Sequence, residues 1–277
     1  MFKIGFIWEW ERAKEIYPLW RDGLRAALEH IEKKHEVDWL LNEAPEKEYD
    51  WLLTWCDSNS NFSKNFSRYE AKRAIILTTN PTNHHNLQGF DIIFCESSVI
   101  YDECRMMGLR AVKAFGTDEQ FFTPDTKVKK DIKYFYPATF SPWKLQSDIA
   151  HLGKELLCIG TIQPDGQKEY DYCEEKGVQL KEGYFPIKEI RDYYRRAENV
   201  IIPAVHGSER TVLEAMSCDI LPVVNNERNI RTKTYIDEFI VWNRKHNKGP
   251  RDFILANYSG KKYADTIIKA MEEHDED

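Results

Sequence analysis

The stretch His206-Gly-Ser-Glu-Arg-Thr-Val-Leu-Glu214 gathers a histidine, a serine, an arginine and two glutamates into a few residues. Ser208, just ahead of an apolar-periodic run, is a good N-cap, and Glu209 in the first turn suits the positive end of a helix dipole. A helix from about Glu209 to Ser217 sets Arg210 and Glu214 at i and i+4 on one face. The unpaired N–H groups at such an N-terminus, together with the dipole, attract an anion. Arg210 adds a bidentate phosphate donor. Glu214, a turn further in, cannot serve an anion; a vicinal diol such as a nucleotide's ribose suits it. The chemistry implied is the holding of a nucleotide's phosphate and sugar. The plainer alternative is an ordinary helix crossover whose Arg210–Glu214 pair is a surface salt bridge contributing little. The residues alone leave both open.

The elements that must position this stretch are two buried strands and the helix between them. Val200–Ala204 is apolar and β-branched, as in a strand covered on both faces, and Leu221–Val224 provides the second. Val212, Leu213 and Met216 supply the helix's apolar side. A strand, polar loop and helix in this order put the ligand at the carboxyl end of a parallel sheet, where open α/β folds bind.

The run HGSERTVLEAMSCDILPVV, His206 to Val224, resembles the C-terminal signature of glycosyltransferase family 4, retaining enzymes of the GT-B fold. That family carries two glutamates eight positions apart, the second inside a run like LEAMACG-PVV. Leu213-Glu214-Ala215-Met216-Ser217-Cys218 and Pro222-Val223-Val224 match it, which makes Glu214 the ribose-binding glutamate. His206 stands at the first glutamate's position and Glu209 lies nearby, so the resemblance leaves either to contact the transferred sugar. Lys144 falls on the lysine of a GR-x-x-x-x-KG loop whose arginine and lysine hold the donor diphosphate. Pro137-Ala138-Thr139 replaces that arginine, and Arg210 is expected to supply the missing cation. Cys158-Ile159-Gly160-Thr161 is similar to the family's l-x-i-x-G strand end, and Tyr184 and Phe185 sit where the donor base is held. Gly207, Ser208 and Thr211 complete the expected nucleotide-sugar contacts. Family members also carry a sugar-contacting histidine after a middle strand of the first domain, and His84 and His85 are the candidates here. Gly116, Asp118, Phe122 and Pro124 resemble the interdomain segment NGVD-x-x-x-F-x-P.

Composition bounds the rest. At 277 residues, 42% hydrophobic and 13% aromatic, the chain can bury two modest cores. No apolar run approaches ~20 residues, and Met1–Trp8 reads as a first strand, not a signal peptide. Cysteines 56, 95, 104, 158, 173 and 218 show no paired spacing and read as reduced core thiols, which points to the cytoplasm. A net charge of −7 argues against a wide nucleic-acid footprint.

Strand signals at Phe2–Trp8, Val37–Leu41, Tyr49–Trp55, Ala74–Thr78 and Gly89–Cys95 alternate with helix signals at Leu19–Lys34 and Val99–Met107. Trp8 reads as core, while Trp10, with Glu9 and Glu11, is left open as an acceptor contact. The polar tract Asp57–Ser67 suggests a lid. Lys64, Arg68, Lys72 and Arg73, interleaved with Phe62, Phe66 and Tyr69, fit either a solvated helix face or a phosphate-and-base contact.

These readings predict an α/β chain of the GT-B class, with two Rossmann-like doubly wound parallel-sheet domains facing across a cleft. Residues 1–126 would bind the acceptor, 127–245 the nucleotide-sugar, and 246–277 would form a helical tail crossing back. The expected function is transfer of a sugar from a UDP- or GDP-sugar to a hydroxyl acceptor. Retention, with the leaving phosphate accepting the acceptor's proton, is what the resemblance implies. No cofactor or metal is obligatory: an Asp-x-Asp motif is missing before the tail, and a Gly-x-Gly-x-x-Gly fingerprint is missing altogether. Two alternatives stand beside this. One is a phage-type enzyme acting on a hydroxymethylated base in DNA; the other is an inactive nucleotide-sugar-binding module.

Overall fold

The computed structural model describes residues 1–8, 13–18, 21–56, 70–84, 87–225 and 227–276. Trp10 with Glu9 and Glu11, the tract 57–67, the basic–aromatic residues up to Tyr69 and His85 lie outside them. The described chain forms two compact units, Met1–Gly116 with Ser259–Asp277, and Thr117–Tyr258.

In the first unit six parallel strands lie in the order β2-β1-β3-β4-β5-β6. They are β1 (Lys3–Trp8), β2 (Glu36–Leu41), β3 (Trp51–Cys56), β4 (Lys72–Leu77), β5 (Ile92–Cys95) and β6 (Ala111–Lys113). A short α1 (Ala13–Ile16) and α2 (Gly23–Ile31) precede β2, and α3 (Ser98–Met106) precedes β6. Asp22 caps α2 by accepting from the Arg25 N–H at 3.0 Å. Leu24, Ala27, Leu28 and Ile31, at helical spacing, turn one face of α2 into the core beside Ile4, Phe6, Trp8 and Trp51. Trp8 is therefore a core residue. The last helix, α10 (Gly260–Glu276), adds Tyr263, Ala264, Ile267, Ala270 and Met271 to the same core.

The second unit holds five parallel strands in the order β11-β10-β7-β8-β9. These are β7 (Ile132–Pro137), β8 (Leu156–Gly160), β9 (Gln179–Glu182), β10 (Ala197–Ile202) and β11 (Val223–Val224). The crossovers carry α4 (Gln146–Ile149), α5 (Gln167–Glu175), α6 (Ile187–Arg196) and α7 (Glu209–Ser217), and α8 (Ile230–His246) and α9 (Pro250–Asn257) come after β11. Strand order reverses between β7 and β10, and the carboxyl ends of strands at such a reversal are where doubly wound sheets bind ligands. The loops after these two strands carry Lys144 and the His206–Arg210 stretch.

The units divide after Gly116, ahead of the charged stretch at Asp125–Asp131, because the intervening residues are locked into the second unit. Thr117 N–H donates to Tyr258 O at 2.9 Å. Phe122 is fully buried, edge-on to Tyr194, and its carbonyl accepts from the Ser217 hydroxyl at 2.6 Å and from Arg251 at 3.1 Å. Residues 246–277 do not form one tail: α9 belongs to the second unit and α10 to the first.

Candidate functional site

The loop after β7 is held in place by its neighbours before any ligand is considered. Phe140 N–H donates to Thr161 O at 2.8 Å, Gln146 donates to Thr139 O at 2.8 Å, and Val205 N–H donates to Trp143 O at 2.9 Å. Gly160, at the end of β8, lies so close to this loop that a Cβ there would stand 2.2 Å from Ala138 O. Only glycine fits. The bond from Val205 stitches the β10 loop to the β7 loop, and the Trp143 indole also stacks on His206, with centroids 5.8 Å apart and planes at 19°.

Lys144 reaches from one loop to the other. Its Nζ donates to Ser208 Oγ at 2.9 Å and lies 3.5 Å from His206 O. Gly207, at φ +72, leaves room for the ammonium, since a Cβ there would meet Nζ at 2.8 Å. Burial depresses the lysine's pKa, with Glu209 opposing and Arg210 reinforcing the shift. Tyr136, buried beneath, donates to Lys144 O at 3.2 Å; burial pushes its phenol up, with the Ser208 hydroxyl opposing.

Ser208 departs from expectation. It occupies the N-cap position of α7 but at φ 73, and its side chain makes no capping bond. Left-handed backbone turns the hydroxyl towards Lys144 instead of the helix's own N–H groups. The first turn of α7 therefore lacks a side-chain cap, and those donors, with the dipole, face the same place as the lysine. Gly207 and Ser208 are consecutive left-handed residues.

The Arg210–Glu214 pair of the plainer alternative is present, but only its arginine end is exposed. Glu209, Thr211, Glu214 and Ser217 are buried along with Val212, Leu213 and Met216. The Glu214 side chain is 7% exposed, accepts from Tyr194 OH at 3.1 Å and lies 3.7 Å from Nε of the half-exposed Arg210. Burial and Glu214 raise the Tyr194 phenol's pKa well above its ordinary value, which keeps it a donor. Glu209, at 6% exposure, is paired with Arg231 at 3.3 Å.

Lys144, His206, Gly207 and Ser208 thus converge, and Arg210, Thr211 and Glu214 lie further along the same helix. Gly160 accepts from Gly183 N–H at 3.0 Å, which links its strand end to the loop bearing the exposed Tyr184 and the half-buried Phe185. His84 belongs to the other unit, where its Nε2 meets the Thr79 hydroxyl. Sequence reasoning passed over Tyr136, Trp143, Tyr194, Asn229 and Arg231. Asn229 alone left a signal, as an N-cap ahead of α8. It is fully buried and donates to Ala204 O at 3.1 Å and Gly207 O at 3.0 Å, which fixes the β10 loop from behind. Among the described residues no group of His, Cys, Asp or Glu is arranged to hold a metal, and no helix is long and apolar enough to cross a membrane.

No protein-family model and no curated protein matches the sequence. Solved structures do match. Sucrose-phosphate synthase from Thermosynechococcus elongatus superposes with a TM-score of 0.66 at 12% identity over 99% of each chain. HepE from Anabaena, in complex with UDP-glucose, gives 0.62 at 11% identity over 99% of this chain and 100% of that one. An alpha-glucosyltransferase in complex with UDP and a 13-mer DNA containing a HMU base gives 0.63 at 12% identity, over 98% and 99%. The fold is GT-B. Within it, the Lys144–Ser208 cluster occupies the strand-order reversal of the second GT-B unit.

Proposed function

We propose that the chain is a glycosyltransferase that moves a sugar from a UDP- or GDP-sugar to a hydroxyl acceptor with retention of configuration. The observation that carries this is Lys144 Nζ at 2.9 Å from Ser208 Oγ, at the uncapped N-terminus of α7. Glu214 lies six residues along that helix, roughly 9 Å of axis, so a diphosphate and its adjoining ribose can span the two. Lys144, Arg210 and the α7 backbone N–H groups hold the diphosphate and stabilise the charge that develops as it leaves. Glu214, already receiving the Tyr194 hydroxyl on one oxygen, takes the ribose diol. His206 or Glu209 orients the transferred sugar. Gly160, Tyr184 and Phe185 serve the base side, and the first unit binds the acceptor. Similar structures that hold UDP or UDP-glucose support the donor class.

A screen of UDP- and GDP-sugars for hydrolysis or transfer tests the reading. The expected result is turnover of one donor, reduced about a hundredfold or more in Lys144→Ala and clearly weakened in Arg210→Ala. Activity unchanged in both variants would overturn the assignment. Donor binding without turnover would instead favour the inactive-module alternative.

A second reading concerns the acceptor. The likeness to a glucosyltransferase bound to DNA favours a hydroxymethylated base. Binding to duplex DNA that weakens steeply with salt is the expected behaviour; salt-insensitive or absent binding removes this reading.

A further inference from the structure

Two acid–base groups compete for the transferred sugar, and the structure distinguishes them through a residue outside the donor loop. Helix α8 starts at Asn229, whose amide clasps the β10 loop, and two residues later Arg231 turns back towards that loop. The Arg231 side chain is 12% exposed and its Nη1 lies 3.3 Å from Oε1 of Glu209, itself 6% exposed. A carboxylate held so deep by a guanidinium is costly to separate from it, because either partner left alone would be an unpaired buried charge. His206 is differently placed: its residue is exposed, and the Trp143 indole stacks on its ring.

We propose that Arg231 is a positioning residue of the donor site. It retains Glu209 as a buried counter-ion and leaves His206 to accept a hydrogen bond from a hydroxyl of the transferred sugar. This rests on the donor-site reading above. The groups facing His206 are Trp143 and Lys144 from the β7 loop, Glu209 from α7 and Arg231 from α8. Partial burial depresses the imidazole's pKa most, Lys144 and Arg231 add to the shift, and Glu209 opposes it. Arg231 therefore acts twice: it occupies the competing carboxylate, and its charge favours the neutral imidazole. The form matters because neutral imidazole keeps one acceptor nitrogen, whereas imidazolium is donor-only. An acid pH should consequently separate two affinities that normally move together. Protonated His206 attracts the diphosphate yet cannot accept from the sugar.

The test uses the full chain with UDP and UDP-glucose as probes. First, the His206 ring is titrated by NMR without ligand. Arg231→Gln should raise its midpoint, and Arg231→Lys, which keeps the charge, should restore the low one. An unchanged midpoint in Arg231→Gln overturns the proposal. Second, calorimetry of the wild type across pH 5 to 8 needs no variant to fold. UDP-glucose should bind about three- to tenfold tighter than UDP near neutrality, and this preference should vanish as pH falls through the His206 midpoint while UDP itself binds more tightly. His206→Ala should lose the preference and keep most of the UDP affinity. A preference that is absent, independent of pH or intact in His206→Ala overturns the proposal. Failure of UDP to bind at all would overturn the donor-site reading and with it the sugar contact. The Arg231–His206 coupling is measured without ligand, so the two failures are distinguishable.

Discussion

Glu214 shows how much of the candidate site rests on single atoms. The carboxylate is nearly buried at the α7 face, and Tyr194 OH donates to Oε2 at 3.1 Å. A hydrogen bond to a buried charged group contributes about 1.5–3 kcal/mol. Tyr194→Phe keeps the ring's edge-on packing with Phe122 and Phe135 but removes that donor. The expected outcome is a loss of about that size in denaturant titration, with a weaker affinity for UDP. A loss of stability with nucleotide affinity unaltered would separate Glu214 from the ligand. That Glu214 shares a helix face with Arg210 was legible in the sequence from their i, i+4 spacing. Its dependence on Tyr194 was not, because the phase that aims a residue of α6 at α7 is set by the β9–β10 crossover, which no local pattern encodes. Arg231 was hidden for the same reason: its partner Glu209 is close in space and far along the chain.

At the scale of elements, α7 was legible from Glu209 to Ser217, since Val212, Leu213 and Met216 recur at helical spacing. Its start was read at the right residue, but Ser208 makes no capping bond there. Ser208 has the composition of a cap but serves as the acceptor for Lys144, held at φ 73. The two roles predict opposite responses to Ser208→Gly. A left-handed serine carries a strain of roughly 1–2 kcal/mol that glycine does not, so thermal stability should hold or rise while UDP affinity falls. Asp22 is the internal reference, because it does cap α2, and Asp22→Ala should cost about 1 kcal/mol. A Ser208→Gly variant destabilised like Asp22→Ala would return Ser208 to an ordinary cap. Strand existence was likewise legible for β1 to β5, β8, β10 and β11, whereas the short β6 and the strand order were not. The reversal between β7 and β10 depends on which apolar strands pair, and their near-continuous hydrophobic runs do not encode partners.

Across the whole molecule, the last helix matters more to the first unit than its position in the chain implies. Tyr263, Ile267 and Met271 of α10 are buried with Ile4, Phe6 and Trp51, and Gly260 lies so close to α2 that a Cβ there would meet the Ala26 Cβ at 2.7 Å. A chain ending at Tyr258 should therefore lose the folding transition of the first unit and expose apolar dye-binding surface, while nucleotide binding by residues 117–258 persists. Retention of both transitions in that truncated chain would show α10 to be dispensable. The expectation of one tail at 246–277 missed this division because Gly249-Pro250, a helix-start signal, separates α9 from α8, and Tyr258-Ser259 separates it from α10.

The bond from Thr117 N–H to Tyr258 O has a topological consequence. The chain leaves the first unit and re-enters it through neighbouring points, so the second unit is in effect a large insertion with both ends at one doorway. A brief turn grafted from Gly116 to Ser259 would then close the first unit into an uninterrupted polypeptide at little entropic penalty, and the excised portion would begin and finish within hydrogen-bonding reach of itself.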